Sequence, residues 1–233
     1  MDPIRDFTAA PAQEAFAFSQ GSFVVDVMSE RLAREYASKP HREPSVMISI
    51  QDTNNFDEFT PTEASQVKAT LHLHFEDTNL PLDREDRDSN WFVKEDAHRV
   101  VRFITDEVLA KGVKHIIVHC HAGVSRSAAM AAAIEVYLNG KGADEHIWHD
   151  WHYRPNIHVY VTQMKAFGIA VNRVTLNNSI RANGITWRKH MMEVRRTLKT
   201  KQELEQWNDI WDRMAEDWLW PKRTNKPNHM FYD

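Results

Sequence analysis

Two rhythms of apolar residues run through this chain, one with the period of a strand and one with the period of a helix. Residues 23–27 make a short β-like run. Ser29 then stands where a helix N-cap belongs, a helix is expected over residues 30–37, and Pro40 stops it. Residues 46–50 are continuously apolar around one serine, as in a strand buried on both faces. Residues 71–75 alternate leucine with histidine and end on Phe75, giving a strand with two chemically different faces. The clearest helix spans residues 93–109, where Val93, Ala97, Val100, Val101, Ile104 and Val108 keep helical spacing and Gly112 follows as a C-cap glycine. A strand over residues 114–119 and an alanine-rich helix over residues 127–138 come next, closed by Gly140 and Gly142. A further helix is expected over residues 157–170. The intervening residues 54–61 and 80–90 are polar or charged loops.

Strands separated by helices imply parallel β-α units. The expected class is therefore α/β, with a central, mostly parallel sheet flanked by helices on both faces. Residues 1–22, with Pro3 and Pro11 and little periodicity, read as an N-terminal arm. Residues 23–173 form the expected α/β unit, and residues 174–233 a helical C-terminal extension. In the extension, Thr200 and Glu203 make a capping-box pattern. Behind it Leu204, Trp207, Trp211, Met214 and Trp218 form an apolar stripe, read either as packing on the α/β unit or as a surface for a second copy or a partner.

Charge and cysteine usage narrow the function classes. A formal net charge of −4 gives no general attraction to nucleic acid or to an anionic membrane. The single cysteine, Cys120, rules out an intrachain disulfide and leaves no resolving thiol in the chain. With no signal-peptide pattern and no long apolar run, a cytoplasmic location is the expectation.

That cysteine lies in the stretch the chain is organised around, Val118-His119-Cys120-His121-Ala122-Gly123-Val124-Ser125-Arg126-Ser127. A buried strand runs into it and a helix runs out. Backbone N–H groups of such a loop converge into an anion-binding nest, to which a helix N-terminus adds its positive end. The same field favours a thiolate, the attacking form of cysteine. Arg126 supplies a planar fork suited to phosphate oxygens. Ligands in parallel sheets bind beyond the carboxyl ends of the strands, where Cys120 is expected.

The run from His119 and Cys120 through five residues to Arg126 and Ser127 resembles the signature of the cysteine-dependent protein tyrosine phosphatases. Its Gly-Val-Ser-Arg-Ser ending is most similar to the dual-specificity branch, and the Tyr153 to Tyr160 stretch to prokaryotic and phage-borne members. The resemblance spans residues 23–173. It implies a phosphomonoester hydrolase acting on phosphotyrosine, with phosphoserine and phosphothreonine as further substrates, through a phosphocysteine on Cys120. It assigns substrate binding to His121, Ala122, Gly123, Val124, Ser125 and Arg126, loop ordering to His119, and help to the departing thiolate to Ser127. It places the general acid at Asp77, after the strand that ends on Phe75, with Asp83, Asp86 and Asp88 in the charged loop as rivals. Arg154, Pro155 and Asn156 match a segment that packs beside the phosphate loop in that family. No cofactor is expected, and the partner is a phosphorylated protein. An RNA 5′-triphosphatase and a non-catalytic phosphate-binding module are the alternatives.

His146, His149 and His152, with Asp150, have spacings that could hold a metal. Steps of three carry the third histidine around a helix, so the expectation is no metal and a polar surface segment near the substrate mouth.

Overall fold

The computed structural model describes residues 23–55, 57–78, 90–205 and 207–208. The described residues form an α/β fold around a four-stranded, all-parallel sheet. In chain order, β1 (Val24–Ser29) leads into α1 (Glu30–Ser38), then β2 (Ser45–Gln51), a 3₁₀ turn (Glu63–Ser65) and β3 (Val67–His74). After them come α2 (Lys94–Phe103), β4 (His115–Cys120), α3 (Arg126–Asn139), α4 (Glu145–His149), α5 (Ile157–Ala166) and α6 (Arg173–Thr197). The strand order is β1-β4-β2-β3.

The central strands are the ones with uninterrupted apolar runs. Every residue of β2 is buried, as is all of β4 after His115, whereas edge strand β1 leaves Val24 half exposed. This is the pattern of strands covered on both faces. Side chains alternate, so each strand divides its residues between two cores. Val46, Ile48, Ile50, Leu73, Ile116 and Val118 pack beneath α2, α3 and α5. Met47 and Ile117 face the other way, where α1 covers them with Ala33 and Ala37. Each fully buried valine or isoleucine contributes about 1.5–3 kcal/mol.

The register brings the strand ends together. Ser29 of β1 pairs with Cys120 of β4, Ser49 of β2 with His119, and Gln51 with His74 of β3. Residues that directly follow β2, β3 and β4 therefore share one edge of the sheet. Asn139, at the end of α3, fastens the far edge: its amide accepts from the Phe23 N–H at 2.9 Å and donates to the Phe23 carbonyl at 3.0 Å.

Ser29 caps α1 as expected, accepting from the Leu32 N–H. The helix expected over residues 93–109 is present, but its second part, Ile104–Leu109, widens into a π-helical turn. There the Thr105 hydroxyl donates to the Val101 carbonyl at 2.9 Å, competing for a group the regular ladder would use.

One helix, α4, was not foreseen, whereas α6 opens the expected C-terminal helical extension. α4 holds His146 and His149 of the three-histidine segment and buries Ile147 and Trp148, so this is no simple polar surface stretch. His146 sits beside Glu135 of α3, at 3.4 Å. α6 runs for 25 residues but buries only Leu176, Asn183, Trp187 and Met191. Asn183 interrupts the apolar stripe that would have marked it. Its amide donates to the carbonyls of Asp150 and Tyr153, at 3.2 and 2.9 Å, and so holds the segment that leads into Arg154-Pro155-Asn156.

The capping box forms: Glu203 accepts from the Thr200 N–H at 2.9 Å, and Thr200 Oγ1 accepts from the Glu203 N–H at 3.2 Å. Trp207 then packs on Trp187 and Met191 of α6, in a small cluster separate from the sheet cores. Its indole donates to the Met191 carbonyl at 3.0 Å. Trp211, Met214 and Trp218 lie outside the described residues.

Replacing Trp207 with alanine should therefore loosen the end of α6 and leave the sheet intact. A loss of about 3 kcal/mol is expected for that cluster. Limited trypsinolysis should show faster cutting at Arg195, Arg196 and Lys199 than in the wild type.

Candidate functional site

Cys120 ends β4 and is buried, with 3% of its surface exposed. The loop that follows turns under the end of β1. The Glu30 N–H donates to the His121 carbonyl at 3.2 Å. Gly123 has φ +73°, and a Cβ there would lie 2.6 Å from the Ser29 nitrogen and 2.7 Å from the Met28 carbonyl carbon. Only glycine allows the loop to pass so close to the β1 backbone. On its other side the loop is held by the Arg154 N–H to the Val124 carbonyl, 2.8 Å, and the Asn156 N–H to the Ser125 carbonyl, 3.3 Å.

Ser125 occupies the N-cap position of α3, yet its side chain caps nothing in the helix. Its hydroxyl instead donates to Asp77 Oδ1 at 2.8 Å. The first turn of α3 also carries no acidic residue. The amides at this helix start are thus left available to an anion. Ser127, one residue into the helix, places its Oγ 3.1 Å from Cys120 Sγ.

Arg126 is buried, with 5% exposed. Its Nη1 donates to the Phe75 carbonyl at 2.6 Å and lies 2.6 Å from Asp52 Oδ1. Its Nε is buried with no hydrogen-bond partner among the described residues. A buried donor left unmade is costly, so this nitrogen marks the place where a ligand oxygen would be stabilised.

Asp77 is brought to the loop, although it lies on a different strand end. Besides Ser125, the Asn156 side-chain amide donates to the same Oδ1 at 2.8 Å, and also to the Thr78 carbonyl at 3.3 Å. Asn156 meanwhile caps α5, its Oδ1 accepting from the Val159 N–H at 3.1 Å. Asp83, Asp86 and Asp88 lie outside the described residues.

His119 is wholly buried on the α1 face of the sheet, its ring 5.5 Å from that of Phe59. Neither ring nitrogen hydrogen-bonds to the loop. Burial pushes its pKa down from 6.5 to about 4, against a smaller opposing pull from the Glu30 carboxylate. His121 points outward, 79% exposed, with Glu30 Oε2 at 3.6 Å from its Nδ1. The three-histidine segment shows no convergence: His146 and His149 each place Nδ1 on a carbonyl of their own helix region, Ala143 and Glu145, at 3.0 and 2.7 Å.

Asp52 was missed in the sequence. The signal was available, because it is the acidic residue that directly follows a buried parallel strand, and such positions line the ligand edge.

The histidine has a readable consequence. The folded protein binds His119's proton less readily than the unfolded chain, so between about pH 6.5 and 4 the unfolded state holds more protons. Stability should fall as pH drops through that window, by roughly 3 kcal/mol for a shift of this size. Denaturant titrations of the wild type and His119→Gln between pH 4 and 7 test this; the variant's curve should lose that slope. Gly123→Ala should force the loop away from the β1 backbone and lower the melting temperature, measured by calorimetry.

No protein-family model matches the chain, and no curated protein matches it. Among solved structures, it is similar to a human tyrosine phosphatase-like serine/threonine/tyrosine-interacting protein. That match has 18% sequence identity and a TM-score of 0.36, and covers 58% of this chain and 80% of the other. At that distance the match carries no argument about activity.

Proposed function

We propose that the protein hydrolyses phosphate monoesters on proteins, phosphotyrosine first, through a covalent intermediate on Cys120. The observation that carries this reading is the convergence of four groups: the Cys120 thiol, the Ser127 hydroxyl 3.1 Å from it, the buried Arg126 with an unpartnered Nε, and the Asp77 carboxylate bonded to the connecting loop.

The loop amides and Arg126 bind the phosphoryl oxygens and gain strength as charge spreads over them in the transition state. The Cys120 thiolate attacks phosphorus, and the bond from phosphorus to the ester oxygen breaks. Protonated Asp77 gives its proton to that oxygen, so the leaving group departs neutral. Ser125 and Asn156 both donate to Oδ1, which leaves Oδ2 to carry the proton. Water then attacks the phosphocysteine and gives a proton back to Asp77. The sulfur–phosphorus bond breaks, and the Ser127 hydroxyl stabilises the sulfur as it leaves with its electron pair.

The surroundings of the loop favour a single phosphate over a polyanion. Glu30, Asp52 and Glu76 stand around the strand edge, and their charges repel a 5′-triphosphate or an RNA backbone.

Cys120→Ser should abolish turnover of a phosphotyrosyl peptide and keep binding of inorganic phosphate. Arg126→Lys should lose most activity, because a point charge cannot reproduce the fork. Side-by-side assays of aryl phosphate, phosphotyrosyl and phosphoseryl peptides and triphosphorylated RNA identify the substrate class; turnover of the RNA alone would sink the reading.

Asp77→Ala should slow phosphotyrosine hydrolysis by about 10²–10⁴-fold while barely slowing an activated aryl phosphate, whose leaving group needs no proton. Equal losses on both substrates would remove Asp77 from the role of acid.

A further inference from the structure

A guanidinium has five N–H hydrogens in a rigid plane. In Arg126, two acceptors surround Nη1: the Phe75 carbonyl and the Asp52 carboxylate, each at 2.6 Å. That nitrogen donates one hydrogen bond, to the Phe75 carbonyl, and is ion-paired with the Asp52 carboxylate. Nε has no partner among the described residues and is buried. The edge that remains for an incoming oxyanion is the one formed by Nε and Nη2.

The two acceptors are also fastened to each other. The Phe75 N–H donates to the Gln51 carbonyl at 3.0 Å, on one side of Asp52. On its other side, the Thr53 N–H and hydroxyl both donate to Glu76 Oε1, at 3.0 and 2.6 Å. The ends of β2 and β3 thus form one unit that presents Asp52 and Phe75 together. Asp52 itself keeps 41% of its side chain in solvent, so its charge is not stranded in the core.

The geometry points to Asp52 as a positioning residue that holds Arg126 by an ion pair at Nη1 and commits the guanidinium to grip a phosphoryl group through its Nε–Nη2 edge. This rests on the phosphatase reading above and assigns Asp52 no direct contact with substrate. The alternative arrangement is a plug, in which the carboxylate occupies the arginine until substrate displaces it. The two differ in sign. A plug, once removed, raises affinity and spares turnover. A positioning residue, once removed, frees the fork to rotate, so ground-state binding survives and turnover falls.

Asp52→Ala and Asp52→Asn, assayed on an activated aryl phosphate with inorganic phosphate as competitor, separate these. Asp52→Ala should lower kcat by about 10–100-fold, the cost of a misplaced group, with KM changed little. Asp52→Asn keeps an acceptor oxygen for Nη1, so it should recover most of kcat. Having lost the negative charge, it should also bind inorganic phosphate about 2- to 5-fold more tightly. Unchanged kcat in Asp52→Ala with tighter phosphate binding would establish the plug and overturn the proposal. Equal loss of kcat in both variants, tracking a fall in melting temperature, would reduce Asp52 to a structural role and also overturn it. Absence of any hydrolysis by the wild type would overturn the phosphatase reading itself, and this proposal with it.

Discussion

A guanidinium cannot be buried without acceptors, and the candidate site is arranged around that requirement. Removing a cation from water costs several kcal/mol unless its donors are met. Arg126 finds its acceptors at the ends of two other strands, Phe75 after β3 and Asp52 after β2. The parallel register is what brings those ends alongside β4. An antiparallel partner would have sent one of them to the opposite edge. The sheet topology and the burial of one side chain are therefore a single condition.

Much of this was legible from the sequence. Apolar runs in β2 and β4, the capping serine before α1 and the loop between Cys120 and Arg126 are local signals, each read within a dozen residues. Asp77 was legible for a related reason, since it directly follows the alternating strand that ends on Phe75. What was not legible depends on contacts between distant segments. Asp52 lies 74 residues from Arg126 in the chain, and no local pattern ties the two. The helical extension was legible but the bounds of α6 were not, because the side chain it buries most completely is the polar Asn183, which answers carbonyls of Asp150 and Tyr153. α4 was hidden by its histidines, whose exposed positions outweigh the buried Ile147 and Trp148 in any composition.

The loop shows how a local rule yields to a site. Serine before a helix ordinarily bonds back to an amide of the first turn. Ser125 gives that up and donates to Asp77 instead. The helix loses a small stabilisation, and the site gains amides with no internal competitor. Gly123 acts in the same sense: the close passage beneath β1 excludes any side chain, and it seats the loop against a rigid strand rather than in solvent.

Asn156 carries a consequence for how this chain can change. As a helix cap, aspartate, serine or threonine would serve in its place, for each offers an acceptor to the Val159 N–H. None of them offers an amide donor as well. The nitrogen of Asn156 reaches Asp77 and Thr78 while its oxygen holds α5. A substitution that looks harmless by every rule of helix capping would leave the helix folded and put a bare carboxylate, or an empty space, beside Asp77. The Asp77 contact therefore asks for a donor and an acceptor on one side chain at this position, although the helix itself would accept an acceptor alone.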